Sequence, residues 1–410
     1  MSHHKNRLVG ALLFGVLLST VGLQTSSAKI SSCTTSKFSF WSHGQLRGFN
    51  IFAEHADPSW ETNGPVHWAY TQADFTAMAK LGANYVQISQ PGLFRMRSPY
   101  VVDTEAQTNL DQLLKLIAKS GLKAVIAFRT GPGRNEYAFR YQKDYDPLFS
   151  QHLYETLWNS SKDQTAFFAM MQYTANRYKN NCVVIGYDPL VEPNYVSTVD
   201  DKNSNYPSPS DFYANYGGSI HDWNQLTPRI TAAIRKVDQT TPILLEPESY
   251  GSVDYLPYLK VTGDAKTVYT IHNYEPQEIY THQPTNGTLS YPGPMDTNGD
   301  GKTTLVDSHW QSAHLQPLLD FKLKYKVPVA ITEMGVHRFV PGASTFLDDQ
   351  FAILDKFAAS YALWEWRAPG DLYYDFDFRM GTDPNNEIPQ LKNSLLEVLQ
   401  KHFSKAPKLL

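Results

Sequence analysis

Two glutamates in this 410-residue chain stand where chemistry is done. Glu192 lies in the stretch VVIGYDPLVEPNY, residues Val183 to Tyr195, where a β-branched run (Val183, Val184, Ile185) leads through Gly186 to the triplet Glu192, Pro193, Asn194. Such an apolar run reads as a buried parallel strand. In α/β proteins the chemistry sits at the carboxyl ends of those strands. Pro193 fixes the backbone just after Glu192 and should bias Glu192 itself toward an extended conformation. A second run, VPVAITEMG from Val327 to Gly335, ends in Glu333 with Gly335 close behind. Either residue alone could be an ordinary loop carboxylate. Two of them, far apart in sequence and each closing a buried strand, are what glycoside hydrolysis requires. One carboxyl protonates the leaving oxygen, and the other attacks the anomeric carbon or activates a water.

The elements that must position this pair alternate regularly. Strands are expected at Leu46 to Phe52, Asn84 to Ser89, Leu122 to Phe128, Val183 onward, Ile243 to Glu246, Thr267 to His272, Val329 to Thr332 and Tyr361 to Trp366. Between them, helical spacing of apolar residues predicts helices at Tyr70 to Leu81, Leu110 to Ser120, Thr165 to Tyr178, Trp223 to Val237, Trp310 to Tyr325 and Phe351 to Ser360. A last helix is expected from Leu391 to Lys401. The Ser-, Asn-, Pro- and Tyr-rich segment from Asp200 to Ser219 reads as a long loop over the active face. Strand–helix alternation with no linker predicts the α/β class, a (β/α)8 TIM barrel forming a single catalytic domain over residues 29–410.

Composition bounds the setting. A net charge of -4 gives no reason to expect nucleic acid or an anionic membrane as partner. Lys5 and Arg7, the apolar run Leu8 to Leu23 and the small residues Ser26, Ser27 and Ala28 have the layout of a signal peptide spanning residues 1–28, which predicts a secreted or periplasmic protein. The two cysteines, Cys33 and Cys182, permit a disulfide in an exported protein, though two free thiols fit equally well.

On the motifs around Glu192 and Glu333, the chain resembles glycoside hydrolase family 5, the cellulase family of the (β/α)8 clan A. The resemblance runs from about Arg47 to Trp366, most of the mature protein. It implies a retaining enzyme with Glu192 as acid/base, after the fourth strand, and Glu333 as nucleophile, at the seventh. It further implies that His272 and Tyr274 orient the sugar and hydrogen-bond the nucleophile, and that Asn194 lies among the substrate contacts. In YALWEWR, Trp364 matches the family's stacking tryptophan, with Trp366 as its rival two residues on. Glu246 and Glu248 follow the fifth strand, where the family pattern has no catalytic acid, and read as structural or rim residues.

Three positions depart from the family pattern. Gln87 stands for an arginine near the end of the second strand. Arg129 stands for a histidine after the third. Val191 stands for the asparagine that contacts the sugar 2-hydroxyl, a contact worth several kcal/mol in such enzymes. Arg129 could restore, from a neighbouring strand, the positive charge lost at Gln87, and it is counted with the substrate-binding residues. The resemblance implies a carbohydrate substrate, no cofactor for catalysis and a monomer. A mannan- or glycolipid-directed hydrolase, or a non-catalytic glycan-binding barrel, stays open beside a glucan-directed enzyme.

One further motif lies apart. Residues Asp296 to Asp307, DTNGDGKTTLVD, fit the oxygen-ligand spacing of an EF-hand calcium loop. Asp296, Asn298 and Asp300 would supply side chains, Lys302 its carbonyl, and Asp307 the last carboxylate. The loop resembles those of dockerin modules and predicts a structural Ca2+ on a rim loop.

Overall fold

The computed structural model describes residues 33, 35–52, 70–135, 155–199, 207–366 and 374–407. The expected signal peptide lies outside them. Eight parallel strands close a barrel: β1 Arg47–Phe52, β2 Tyr85–Gln90, β3 Lys123–Phe128, β4 Val184–Asp188, β5 Ile243–Leu245, β6 Thr267–Asn273, β7 Val329–Met334 and β8 Ser360–Leu363. Each pairs with its neighbours in sequence, and β1 seals against β8 through Arg47 opposite Tyr361. Around the barrel lie α1 Gln72–Lys80, α2 Thr104–Lys119, α3 Ser161–Tyr178, α4 Trp223–Arg235, α5 Ser308–His314, α6 Gln316–Tyr325, α7 Ala343–Phe357 and α8 Ser394–Phe403.

The predicted helices are present, with shifts that have local causes. α2 begins near Asp103, which caps it by accepting the backbone N–H groups of Glu105 and Ala106. Its first turn is polar, so apolar spacing alone placed the start too late. The helix expected from Trp310 to Tyr325 breaks at Leu315, because Pro317 opens α6. The segment read as a loop from Asp200 to Ser219 carries a helix at Pro209–Tyr216, capped by Ser208 with proline in its first turn. Between β5 and β6 the described residues form only a kinked turn at Glu248–Gly251 and a short 3-10 turn at Leu256–Tyr258.

The interior is layered along the strand axis. At the amino-terminal end a dry cluster of Leu46, Tyr85, Val125, Ile185, Leu244, Val268, Ala330 and Ala362 fills the barrel. Trp41, from the helical turn Ser39–Ser42, plugs that end and donates its indole N–H to Ile185 O at 2.9 Å. Gly186 makes room for Leu244 in that cluster, since a Cβ there would lie 2.6 Å from the Leu244 side chain. The plug is tied down covalently, for Cys33 and Cys182 form a disulfide. Further along, polar side chains enter the interior: Gln87 donates to Asp188 at 3.3 Å across the barrel from β2 to β4. Asn84, just before β2, ties the segment entering β1 to the one leaving α8. Its amide accepts from Arg47 N at 2.9 Å and donates to Gln45 O at 2.9 Å and Pro407 O at 3.2 Å. Among the described residues, no helix is long and apolar enough to cross a membrane.

Candidate active site

Glu333 reaches the interior through a bulge. Along β7, Ala330 packs in the interior cluster while Val329 and Ile331 face the helices. Strict alternation would turn Glu333 outward with Ile331. The ladder to β6 pairs Ile331 with Ile271 and Glu333 with His272, leaving Thr332 as an extra residue. That single insertion reverses the parity, and Glu333 points into the barrel mouth.

Glu192 is held differently. β4 ends at Asp188, so Glu192 lies on a connecting segment beyond the last paired residue. The extended backbone expected before Pro193 is not found: Glu192 has φ +53°, in the left-handed region. That region costs an L-residue about 1–2 kcal/mol. Two buried charged side chains hold it there. Glu246 accepts the Glu192 N–H at 2.9 Å, and Arg134 donates to the Glu192 and Val191 carbonyls at 3.0 and 2.8 Å. Arg134 is fully buried and also donates to Asn194 Oδ1 at 2.9 Å. Glu155 stands 3.9 Å away, and burial pushes its carboxyl up to about 8. The carbonyl dipoles and Asn194 therefore carry more of the solvation of Arg134 than Glu155 does.

The two glutamates meet over His272. One side-chain ligand atom from each of Glu192, His272 and Glu333 lies within 4.8 Å of the others. His272 Nδ1 is 3.0 Å from Glu192 Oε1 and 3.5 Å from Glu333 Oε2, and its Nε2 is 3.1 Å from Glu246 Oε1. The hydrogen bond expected to run to Glu333 thus runs to Glu192. Burial on its own would lower the pKa of His272, but the charges of Glu246 and Glu333 and the bond to Glu192 outweigh it and hold the imidazole well above its usual range. Tyr274 donates to Glu333 Oε2 at 3.3 Å. Burial, then the charges of Glu333 and Glu192, keep its phenol un-ionised. Arg129 forms an ion pair with the other oxygen of Glu333, its guanidinium 4.7 Å from the Trp364 ring centre and 5.3 Å from that of Phe52. Three such groups could grip a divalent cation, but Arg129 and a charged His272 already supply positive charge there.

The structure sorts the remaining predicted residues. Trp364 packs with Phe52 and Phe376, next to Tyr274, at the barrel mouth. Trp366 does not share its face. The strand itself ends at Leu363, and the Trp366 ring packs in the wall against Phe49 at 5.1 Å, under Arg379 at 4.5 Å. Asn194 is buried, with its carbonyl oxygen taken by Arg134, so it belongs to the Glu192 turn in place of the sugar contact expected of it. Glu246 and Glu248 are fully buried, which removes the rim reading and keeps the structural one. Gln87 is turned to Asp188 inside the barrel.

The calcium loop is closed on itself. Asp296 accepts the N–H groups of Asp300 and Gly301 at 3.2 and 2.8 Å, Asn298 accepts that of Asp300 at 3.3 Å, and Asp300 accepts that of Lys302 at 2.8 Å. Asp307 caps α5 by accepting from His309 N and Trp310 N at 2.9 and 3.0 Å. Among the described residues, Asp296, Asp300 and Asp307 do not gather into a three-carboxylate cluster. The five residues form a self-bonded turn and a helix cap, and the expected cation cage is not assembled.

Sequence reasoning missed Arg134 and the roles of Glu246 and Asp188. The signals were an arginine directly after Gly131-Pro132-Gly133 and an acid at the end of an apolar run. Neither is specific without the partner it meets.

A closed eight-stranded barrel with two carboxylates facing each other at its carboxyl end defines a (β/α)8 protein of the glycoside hydrolase type. Residues 34–370 match the model of the cellulase family, glycosyl hydrolase family 5, and the chain belongs to that family. A β-xylosidase of Phanerodontia chrysosporium is 25% identical over 218 residues, covering 51% of this chain and 38% of that protein. The chain thus spans well under half the length of this curated relative. Solved structures share the fold. The endoglucanase Cel5A of Thermotoga maritima superposes with a TM-score of 0.61 at 19% identity over 89% of this chain and 100% of that one. The cellulose synthase subunit Z of Clostridioides difficile gives 0.60 at 15% identity over 87% and 99%.

Proposed function

We propose that the chain is a secreted retaining β-glycosidase that cleaves a β-linked glucan by double displacement. The observation that carries this reading is the approach of Glu192 and Glu333, whose side-chain oxygens come within 4.8 Å. Retaining enzymes hold their carboxyls about 5–5.5 Å apart, whereas a water-activating pair needs about 6.5–9.5 Å. Glu333, ionised and held by Arg129 and Tyr274, attacks the anomeric carbon and forms a glycosyl ester. The glycosidic bond breaks as Glu192 gives its proton to the leaving oxygen. Glu192 then takes a proton from a water whose oxygen attacks the same carbon, and Glu333 leaves as a carboxylate. Neither step needs a cofactor. Trp364 offers the ring on which an apolar sugar face stacks.

Cellobiose and mannotriose are both named as ligands of Thermotoga maritima Cel5A, which supports a β-glucan as first candidate and a β-mannan as second. The Cys33–Cys182 bridge fits an exported protein, and export predicts a mature chain starting at Lys29. Product stereochemistry followed by NMR tests the mechanism: the first-formed anomer should retain the β configuration, and initial inversion would sink the assignment. Turnover of cellulose derivatives, mannan, xylan and aryl β-glycosides separates an enzyme from a binding barrel and names the glycan.

A further inference from the structure

Glu246 has no part in the two displacement steps, yet it is fully buried at the centre of the site's contacts. Burying a carboxylate costs several kcal/mol unless bonded partners offset it. Its partners form a circuit of two hydrogen bonds and one ion-pair contact. Glu246 Oε2 accepts the Glu192 backbone N–H at 2.9 Å, Glu246 Oε1 lies 3.1 Å from His272 Nε2, and His272 Nδ1 lies 3.0 Å from Glu192 Oε1. The circuit starts and ends on Glu192. We propose that Glu246 is the positioning residue of the acid/base. One oxygen locks the left-handed backbone of Glu192, and the other turns His272 so that its Nδ1–H meets the Glu192 carboxyl. The inference rests on Glu192 being the acid/base.

The surroundings fix Glu246 in this double role. Gly251, with φ +73°, passes so close that a Cβ there would lie 3.0 Å from Glu246 Oε2. At Asp188, nearby, burial and the charge of Glu246 raise the pKa well above the carboxylate range. Gln87 holds Asp188 from β2. His272 is faced by Glu192 and Asp188 from the fourth strand and its extension, Glu246 from the fifth, and Glu333 from the seventh, with Arg129 and Tyr274 beyond Glu333. The charges of Glu246 and Glu333 and the bond to Glu192 favour the imidazolium. A cation there lowers the pKa of both Glu192 and Glu333.

Glu246→Gln tests this without emptying the site. The amide can still accept the Glu192 N–H while its NH2 faces His272 Nε2, which leaves His272 neutral with its proton on Nδ1. With the cation gone, both glutamates keep their protons to higher pH. Both limbs of the kcat/KM–pH profile should therefore move to the alkaline side by about 0.5–1 unit. kcat should fall about tenfold while KM and Tm stay near wild type. An unshifted profile would overturn the proposal, whether or not Tm falls, because a merely structural Glu246 would leave the limbs in place. 15N NMR of histidine-labelled wild-type enzyme gives a readout independent of any variant. His272 should carry protons on both nitrogens to pH 8, and a neutral His272 at pH 6 would overturn the proposal. Azide rescue of Glu192→Ala on an aryl glycoside checks the underlying reading separately. Its absence would remove Glu192 as acid/base while leaving the histidine spectrum unaffected.

Discussion

Glu333 and Glu192 occupy matching places at the barrel mouth but are held by opposite means. Glu333 is part of a strand paired on both sides, and one extra residue, Thr332, aims it inward. Glu192 lies beyond its strand, in a backbone conformation its own sequence does not favour, and is held by Arg134 and Glu246 from other parts of the chain. A nucleophile must be fixed relative to one carbon. An acid/base must serve a leaving group and then a water. In the proposed roles the nucleophile is built into the sheet, and the acid/base is held by buried charges that can be exchanged singly.

That contrast can be broken by mutation. Glu333→Ala should cost the most, on the order of 10⁴-fold or more in kcat, with the fold and substrate binding retained. Loss of less than about tenfold, measured on the purified enzyme, would mean that the sheet-held carboxyl is not the nucleophile. Glu192→Ala should lose about 10²–10⁴-fold on substrates with poor leaving groups and far less on activated aryl glycosides. An equal loss on both kinds would remove its proton-donating role.

Arg134→Met is the sharper probe, since it touches no substrate. It should lower kcat about 10–100-fold and stability by roughly 2–4 kcal/mol, because three hydrogen bonds of a charged group are lost at once. Denaturant melts and kinetics at saturating substrate measure the two effects. Unchanged turnover would show that Glu192 does not depend on this clamp. Trp364→Ala should raise KM about tenfold with little change in stability, whereas Trp366→Ala should leave KM alone and cost about 3–5 kcal/mol of packing. The reverse pattern would exchange the two rings. The smallest effect concerns the Asp296 to Asp307 turn: calcium and a chelator should give the same Tm. A calcium-dependent rise, lost in Asp300→Ala, would show that the self-bonded turn opens to take a cation.

The barrel was legible because its strands are short apolar runs and its helices carry apolar residues at regular spacing, signals that need no partner to be read. Glu333 could be placed at a strand end for the same reason. Its direction could not, since the bulge at Thr332 is a property of two strands in register. The backbone of Glu192 was misjudged because the local preference set by Pro193 is outweighed by contacts from Arg134 and Glu246, over fifty residues away in either direction. Trp366 was assigned to the same face as Trp364 by extending strand alternation past Leu363, the last residue of the strand. In the Asp296 to Asp307 stretch the spacing of oxygens was right, yet those oxygens serve the turn's own N–H groups and a helix end, a competition that spacing does not reveal.

Asn84 fastens Gln45 and Pro407 to the amino-terminal end of β2, so the chain enters β1 and leaves α8 on the side away from the barrel mouth. The same closeness suits the unit to rearrangement: a short bridge from Pro407 to Gln45, with new ends opened in a surface connection, would give a permuted barrel. Such a permutant would have to carry the Cys33 to Trp41 plug as a separate piece or lose the seal on its floor. As an engineering module, then, this barrel has a back that can be rewired, provided that one asparagine is kept.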